Sequence, residues 1–240
     1  MTKASRVSVV CLLLLGVLVL AATSWAQERP PISEQIAKTY GLDSFSQIEQ
    51  IRYTFNIPER KLSRTWVWEP KTDQVSYEGK DKAGKPMKLT YRRSQLSSQA
   101  AVVRDEIDSA FINDQYWLLF PLHLVWDSSA KVEDTGMHQL PLGKGSARRV
   151  VVTYPSTGYS PGDTWELFVG PDDRIREWVY HHGGSPQWTA AWSWKDYKRA
   201  GPLLISLDHP GKKDGKPSRV FFSDVAVKLV GGANTWVKAQ

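Results

Sequence analysis

Ile51-Arg52-Tyr53-Thr54-Phe55-Asn56-Ile57 decides the fold class: Ile51, Tyr53, Phe55 and Ile57 alternate with Arg52, Thr54 and Asn56, and Pro58 ends the run. Side chains two apart on a strand share a face, so this period of two is that of a half-buried β-strand. The same signal continues outward. Strands are expected over 62–69, 74–79, 87–92, 131–137, 147–154, 164–169, 175–181, 187–195, 203–207 and 219–229. Pro171-Asp172-Asp173 and Gly183-Gly184 sit where tight hairpin turns would fall.

Two stretches read as helix. Ser33 can cap a short helix over 34–40, stopped by Gly41. Between about Gln99 and Leu119, Val102, Val103, Ile107, Ala110 and Phe111 recur at helical spacing, with a break expected near Asn113-Asp114 and a stop at Pro121. About eleven strands, short connections and one inserted helix define a mainly β (α+β) fold: a large curved antiparallel sheet, or an unclosed half-barrel, with one or two helices covering its concave face.

The N-terminus reads as a processing segment. Lys3 and Arg6 precede an apolar run over 7–22, and Ser24-Trp25-Ala26 places small residues where signal peptidase reads them, so cleavage is expected between Ala26 and Gln27. A single exported domain over 27–240 follows. The only cysteine, Cys11, falls inside that leader, which leaves no disulfide, thiolate nucleophile or cysteine metal ligand for the remainder. Its stability must come from a packed core.

The full chain has 31 basic and 25 acidic residues, and the basic ones are dispersed. This argues against nucleic acid. One local cluster, Lys212, Lys213 and Lys216, reads as a solvated hairpin tip, or as a contact for an acidic partner or anionic headgroups.

No catalytic or metal constellation stands out, and no cofactor is implied. His123, His138, His181, His182 and His209 form no HExxH or His-x-His pattern, and ordinary polar or edge positions account for them. Gly143-Lys144-Gly145-Ser146 lacks the context of a phosphate loop and reads as an inter-strand connection. Asp105, Glu106 and Asp108 suit the start of a helix, where its dipole favours negative charge. Asp163 and Glu166, on either side of Trp165, do not form a glycosidase pair.

The tryptophans carry more information. Eleven occur, and all but Trp25 lie beyond the expected cleavage site. Trp66 and Trp68 share one strand face; Trp188, Ala190, Trp192 and Trp194 share another. Each indole buries roughly 150–250 Å². Packing explains any one of them, but a single helix cannot cover the whole set, and the uncovered remainder would form an apolar cavity. Its expected lining is Trp66, Trp68, Trp117, Trp165, Trp178, Trp192 and Trp194.

Three pieces of sequence carry a resemblance: 111–121 (Phe-Ile-Asn-Asp-Gln-Tyr-Trp-Leu-Leu-Phe-Pro); 161–169 (Pro-Gly-Asp-Thr-Trp-Glu-Leu-Phe-Val) running on to Arg176-Glu177-Trp178; and the strand-rich frame over 32–229. The chain resembles the LolA-like half-barrel superfamily, the lipoprotein-carrier-like group of exported proteins, in an uncharacterised branch. The resemblance implies an unclosed barrel around an apolar cavity that takes acyl chains, with helices as a lid. Arg52 and Arg64 are its regional candidates for a lid-controlling arginine. The function expected is non-catalytic binding or carriage of a lipid or acylated protein, with movement of 97–119 opening the site; the partner could also be an envelope protein or a membrane surface. The alternative is an envelope interaction module with a fully packed core. An enzyme is the third reading, without a constellation to support it. A monomer is expected.

Overall fold

The computed structural model describes residues 31–240, apart from 82 and 188. The expected leader, its cleavage site and Trp188 therefore lie outside the described residues. The chain opens with α1 (Ile32–Thr39), then β1 (Ile48–Ile57), β2 (Leu62–Glu69), β3 (Gln74–Lys80) and β4 (Pro86–Arg92). After α2 (Asp108–Trp126) come β5 (Lys131–Gln139), β6 (Ser146–Thr153), β7 (Thr164–Val169), β8 (Ile175–His181) and β9 (Ala190–Ser193). The last strands are β10 (Lys195–Ala200), β11 (Leu203–Lys213), β12 (Lys216–Leu229) and β13 (Val237–Lys238).

All the strands join one antiparallel sheet in the order β4-β3-β2-β1-β12-β11-β9-β8-β7-β6-β5, with β10 on β11 and β13 on β12. The path ends at β4 and β5 without joining them, so the sheet is not closed. The mainly β, unclosed architecture expected from the period-two runs is the one observed. The path turns around the two long strands: β12 pairs its first half with β11 and its second half with β1.

Among the described residues thirteen strands replace the roughly eleven expected, because the 187–195 run divides and a short strand is added near the C-terminus. The Trp194 N–H still donates to the Arg176 carbonyl of β8 at 2.8 Å, in the β8–β9 register, and the backbone leaves β8 after it. It then rejoins β11 as β10, a largely polar Lys195-Asp196-Tyr197-Lys198-Arg199 run that shows no apolar alternation.

Both helices depart from expectation. α1 starts at Ile32, after Pro31, so Ser33 is not its cap and makes no capping bond. Gly41 does end it, at φ 104°, a left-handed conformation that glycine adopts without strain. α2 does not stop at Pro121 but continues through it to Trp126. Proline removes one helical N–H, and the distortion falls at Leu119 (φ −122°, ψ 17°). Asn113-Asp114 is unbroken helix; the other irregularity is a π-helical turn over Val103–Ile107. Phe111, Trp117, Leu118, Phe120, Pro121 and Leu122 are all buried, so α2 is enclosed on several sides and lies against the concave face.

The core lies between that helix, α1 and the concave face. A smaller apolar patch on the other face, Ala147, Phe168, Val179 and Ala191, is covered by Leu140 and Leu142 of the β5–β6 connection. The Leu142 N–H donates to the Glu177 carboxylate at 2.7 Å there. This places Gly143-Lys144-Gly145 in an inter-strand connection, as expected.

Candidate ligand cavity

Cross-strand register builds the site. On an antiparallel sheet, directly paired residues share a face. Leu167 pairs with Trp178, Trp178 with Trp192, and Trp192 with Gly211. In the next row Trp165 pairs with Tyr180, Tyr180 with Ala190, and Ala190 with Lys213. Two aromatic rows thus stand side by side on the concave face. Trp165 lies 4.4 Å from Tyr180 and 4.6 Å from Trp178, centroid to centroid.

From the opposite side α2 inserts Trp117, edge-to-face at 4.7 Å from both Trp178 and Trp192. Ala110, Asn113 and Trp117, one helical face, look towards the rows. Phe55, Ile57, Leu62 and Arg64 of β1 and β2 supply the remaining wall. Between them lies a cavity of about 720 Å³, within the range of small-molecule sites.

Of the seven tryptophans expected to line a cavity, Trp117, Trp165, Trp178 and Trp192 line this one. Trp66, Trp68 and Trp194 lie elsewhere in the interior. Trp66 is fully buried against Tyr77 and Phe111, with its N–H on Asp114. Trp68 packs on Phe45 and Phe111. Trp194 packs between Tyr40, Trp178 and His209. Phe111 and Trp117 are a turn and a half apart on α2, so the helix shelters one aromatic group and faces the cavity with the other. The buried Nε1 atoms of Trp165, Trp178 and Trp192 reach no acceptor in the protein. The wall they form is apolar, stabilised by ring-edge to ring-face contacts.

Three aspartates on or beside α2 secure it to the sheet, and sequence reasoning missed all three. Asp108, expected to serve the helix dipole, is fully buried and accepts hydrogen bonds from Tyr91 (2.9 Å), Arg93 (2.8 Å) and Tyr159 (2.8 Å). Asp114, also fully buried, accepts from Arg64 Nη2 (2.7 Å), Trp66 Nε1 (2.9 Å) and Asn113 (3.0 Å). Asp127 accepts from Tyr116 and Tyr154 and contacts His123 Nδ1 at 3.1 Å. Their signal was spacing: Asp108, Phe111, Asp114, Gln115 and Leu118 occupy one buried helical face.

Burial pushes the Asp114 carboxyl up to about 6, against the opposing pull of Arg64 and the hydrogen bonds. At Asp127 burial acts the same way, but His123 and the hydroxyls of Tyr116 and Tyr154 together outweigh it and hold the carboxyl below its usual range. Of the two candidate arginines, Arg64 reaches α2, whereas the Arg52 guanidinium lies over the Trp236 ring at 4.6 Å.

The histidines need one correction. His138, His181 and His182 occupy polar positions with separate partners. His123 is buried between Gln115 and Asp127. His209 is a core residue at 0 % exposure, edge-on to Trp117, Trp194 and Phe222. Burial pushes it down to about 3, which keeps it neutral. Asp163 and Glu166 also part company: Asp163 takes hydrogen bonds from Tyr180 and the Gly183 N–H, and Glu166 meets His181. Among the described residues no group of three or more His, Cys, Asp or Glu could hold a metal ion, and no helix is long and apolar enough to cross a membrane.

An unclosed antiparallel sheet, a buried helix against its concave face and an aromatic cavity beside that helix define the class by architecture: an unclosed β half-barrel with an internal helix. The chain matches no protein-family model and no curated protein. Among solved structures it is similar to a DUF1329 family protein from Desulfovibrio piger (6% identity, 81% of this chain and 90% of that one, TM-score 0.42). It is also similar to a domain from Vibrio parahaemolyticus described as that of an outer membrane lipoprotein-sorting protein (7% identity, 85% and 92%, TM-score 0.46). A third is the lipoprotein LppX of Mycobacterium tuberculosis (8% identity, 81% and 94%, TM-score 0.31).

Proposed function

We propose that this chain is an exported, periplasmic, non-catalytic protein that binds or carries an apolar ligand, a lipid or the acyl chain of an acylated protein. The observation that carries the reading is the convergence of Trp117, Trp165, Trp178 and Trp192 on one cavity of about 720 Å³. Each methylene transferred from water to such a wall contributes about 0.8 kcal/mol, so one acyl chain gains useful affinity without covalent chemistry. The Nε1 atoms of Trp165, Trp178 and Trp192 are buried, so the wall offers a guest mainly ring faces, which favour an apolar one. Trp194 packs edge-on against Trp178 and supports that wall, whereas Trp66 and Trp68 pack against Phe111 of α2.

Lifting α2 to admit a ligand would separate three carboxylates from their donors. Entry at the open end of the sheet, beside the 58–60 turn and the β11–β12 hairpin, leaves those bonds intact. Native mass spectrometry of protein purified without detergent tests the function directly, together with a tryptophan fluorescence titration with fatty acid. A bound lipid or a saturable quench is expected. A bare protein with unresponsive fluorescence would sink the proposal and favour the packed interaction module.

A further inference from the structure

We infer that the ligand is an anionic amphiphile, with its chain on the indole wall and its carboxylate or phosphate headgroup between Arg60 and Lys213. This rests on the lipid-site reading above and adds the chemistry of the headgroup. Both cations line the cavity at one end of the sheet. Arg60 sits in the turn after β1, and Lys213 at the tip of the β11–β12 hairpin, paired with Lys216 across an Asp214-Gly215 turn. The turn and the hairpin are fastened together, because Glu59 accepts the Arg219 N–H at 2.6 Å. Lys213 continues the row Trp165, Tyr180, Ala190, so its stem runs off the aromatic wall and its ammonium reaches the mouth.

The two cations at this mouth have no ion-pair partner among the described residues. Arg64 also lines the cavity, but Asp114 takes its charge. Asp163 is the carboxylate among the lining residues, and Tyr180, the Gly183 N–H and His182 occupy its oxygens. Neither Arg60 nor Lys213 forms an ion pair among the described residues, and Asp214, next to Lys213, pairs with neither. Two cations outside any ion pair above an apolar wall complement a molecule that is anionic at one end and apolar along the rest. Ser218 and Ser160, also in the lining, add neutral donors.

The test uses the delipidated protein and three probes of equal chain length: myristic acid, tetradecanol and tetradecyltrimethylammonium, each followed by tryptophan fluorescence at low salt. Myristate should bind about tenfold more tightly than tetradecanol, the gain expected of two rim charges, with the quaternary amine weakest. In the R60Q/K213Q double variant that preference should fall to about threefold or less while tetradecanol binding stays within about twofold of wild type; circular dichroism checks that the variant folds. Acetate and inorganic phosphate, headgroups without a chain, should not displace myristate. Equal binding of acid and alcohol by the wild type would overturn the headgroup assignment and leave the lipid site standing, as would an unchanged preference in the double variant. Displacement by phosphate alone would reassign the mouth to small anions. Failure of all three probes to bind would overturn both readings.

Discussion

Arg64 on β2 and Asp114 on α2 form a 2.7 Å ion pair whose acidic partner is wholly shielded from solvent. The same carboxylate also holds the Trp66 N–H at 2.9 Å, so one side chain ties the helix to the sheet and fixes an indole of the core. Asp114→Ala would leave a guanidinium and an indole N–H facing an apolar interior. Breaking a buried pair from one side costs about 3–5 kcal/mol, so urea unfolding should show a loss of that order. Asp114→Asn keeps an acceptor and should lose less. A cost below about 1 kcal/mol for the alanine variant would mean that the pair does not secure the helix.

Two buried groups give the protein opposing responses to acid. Asp114 is raised to about 6, above its unfolded value, so its contribution is fully present below the ordinary carboxylate pKa and is lost as pH rises through 6. His209 is depressed to about 3, so its contribution is present above about 6.5 and is lost as pH falls towards 3. Each is worth on the order of a few kcal/mol over its window. Melting temperatures between pH 7.5 and 4 should separate them. Asp114→Asn should lose the gain on moving from pH 7 to 5, and His209→Phe should resist acid better than wild type below pH 6. If both variants track the wild-type profile, neither group sets the pH response.

The alternation in Ile51–Ile57 and the Trp66/Trp68 pair made the sheet legible, because one strand's faces are a local property. Tyr53 and Trp66 are paired, as are Ile51 and Trp68, so the expected shared face is real. What covers that face was not legible. Phe111 and Asp114 of α2 close over it, and an aspartate on a buried helix face reads as a break or a cap until its donors on other elements are known. The cavity wall depends on which residue of β8 meets which of β9, a register that sequence spacing does not contain. Pro121 misled for a related reason: tertiary packing keeps both halves of α2 helical, at the cost of a kink at Leu119.

Ala110 lies on the cavity face of α2 and is only half buried. Ala110→Trp should put a ring into the cavity without disturbing the three aspartates. Binding of fatty acid should fall by about tenfold or more, while the melting temperature moves by only a few degrees, as for a substitution outside the packed core. A variant that still takes up ligand like wild type would place the binding site elsewhere.

Gly211 separates two reasons for a glycine, and thereby tests the wall itself. Its backbone needs no left-handed conformation; what it lacks is room. A Cβ there would land on the Ala191 carbonyl oxygen, 2.6 Å from Trp192 Cδ1 and 2.7 Å from Trp192 Cα. The indole of Trp192 lies where a side chain on β11 would otherwise stand, so Gly211→Ala must push β9 away and take Trp192 off the wall. Overpacking of this kind costs about 1–3 kcal/mol. Gly41→Ala is the control: its Cβ would meet the Pro202 carbonyl oxygen at 2.7 Å, with φ at 104°, but Gly41 does not line the cavity. Both variants should therefore lose stability in urea unfolding, and only Gly211→Ala should also shift tryptophan emission and weaken ligand uptake. Equal uptake by the two would mean that Trp192 is scaffold and not wall.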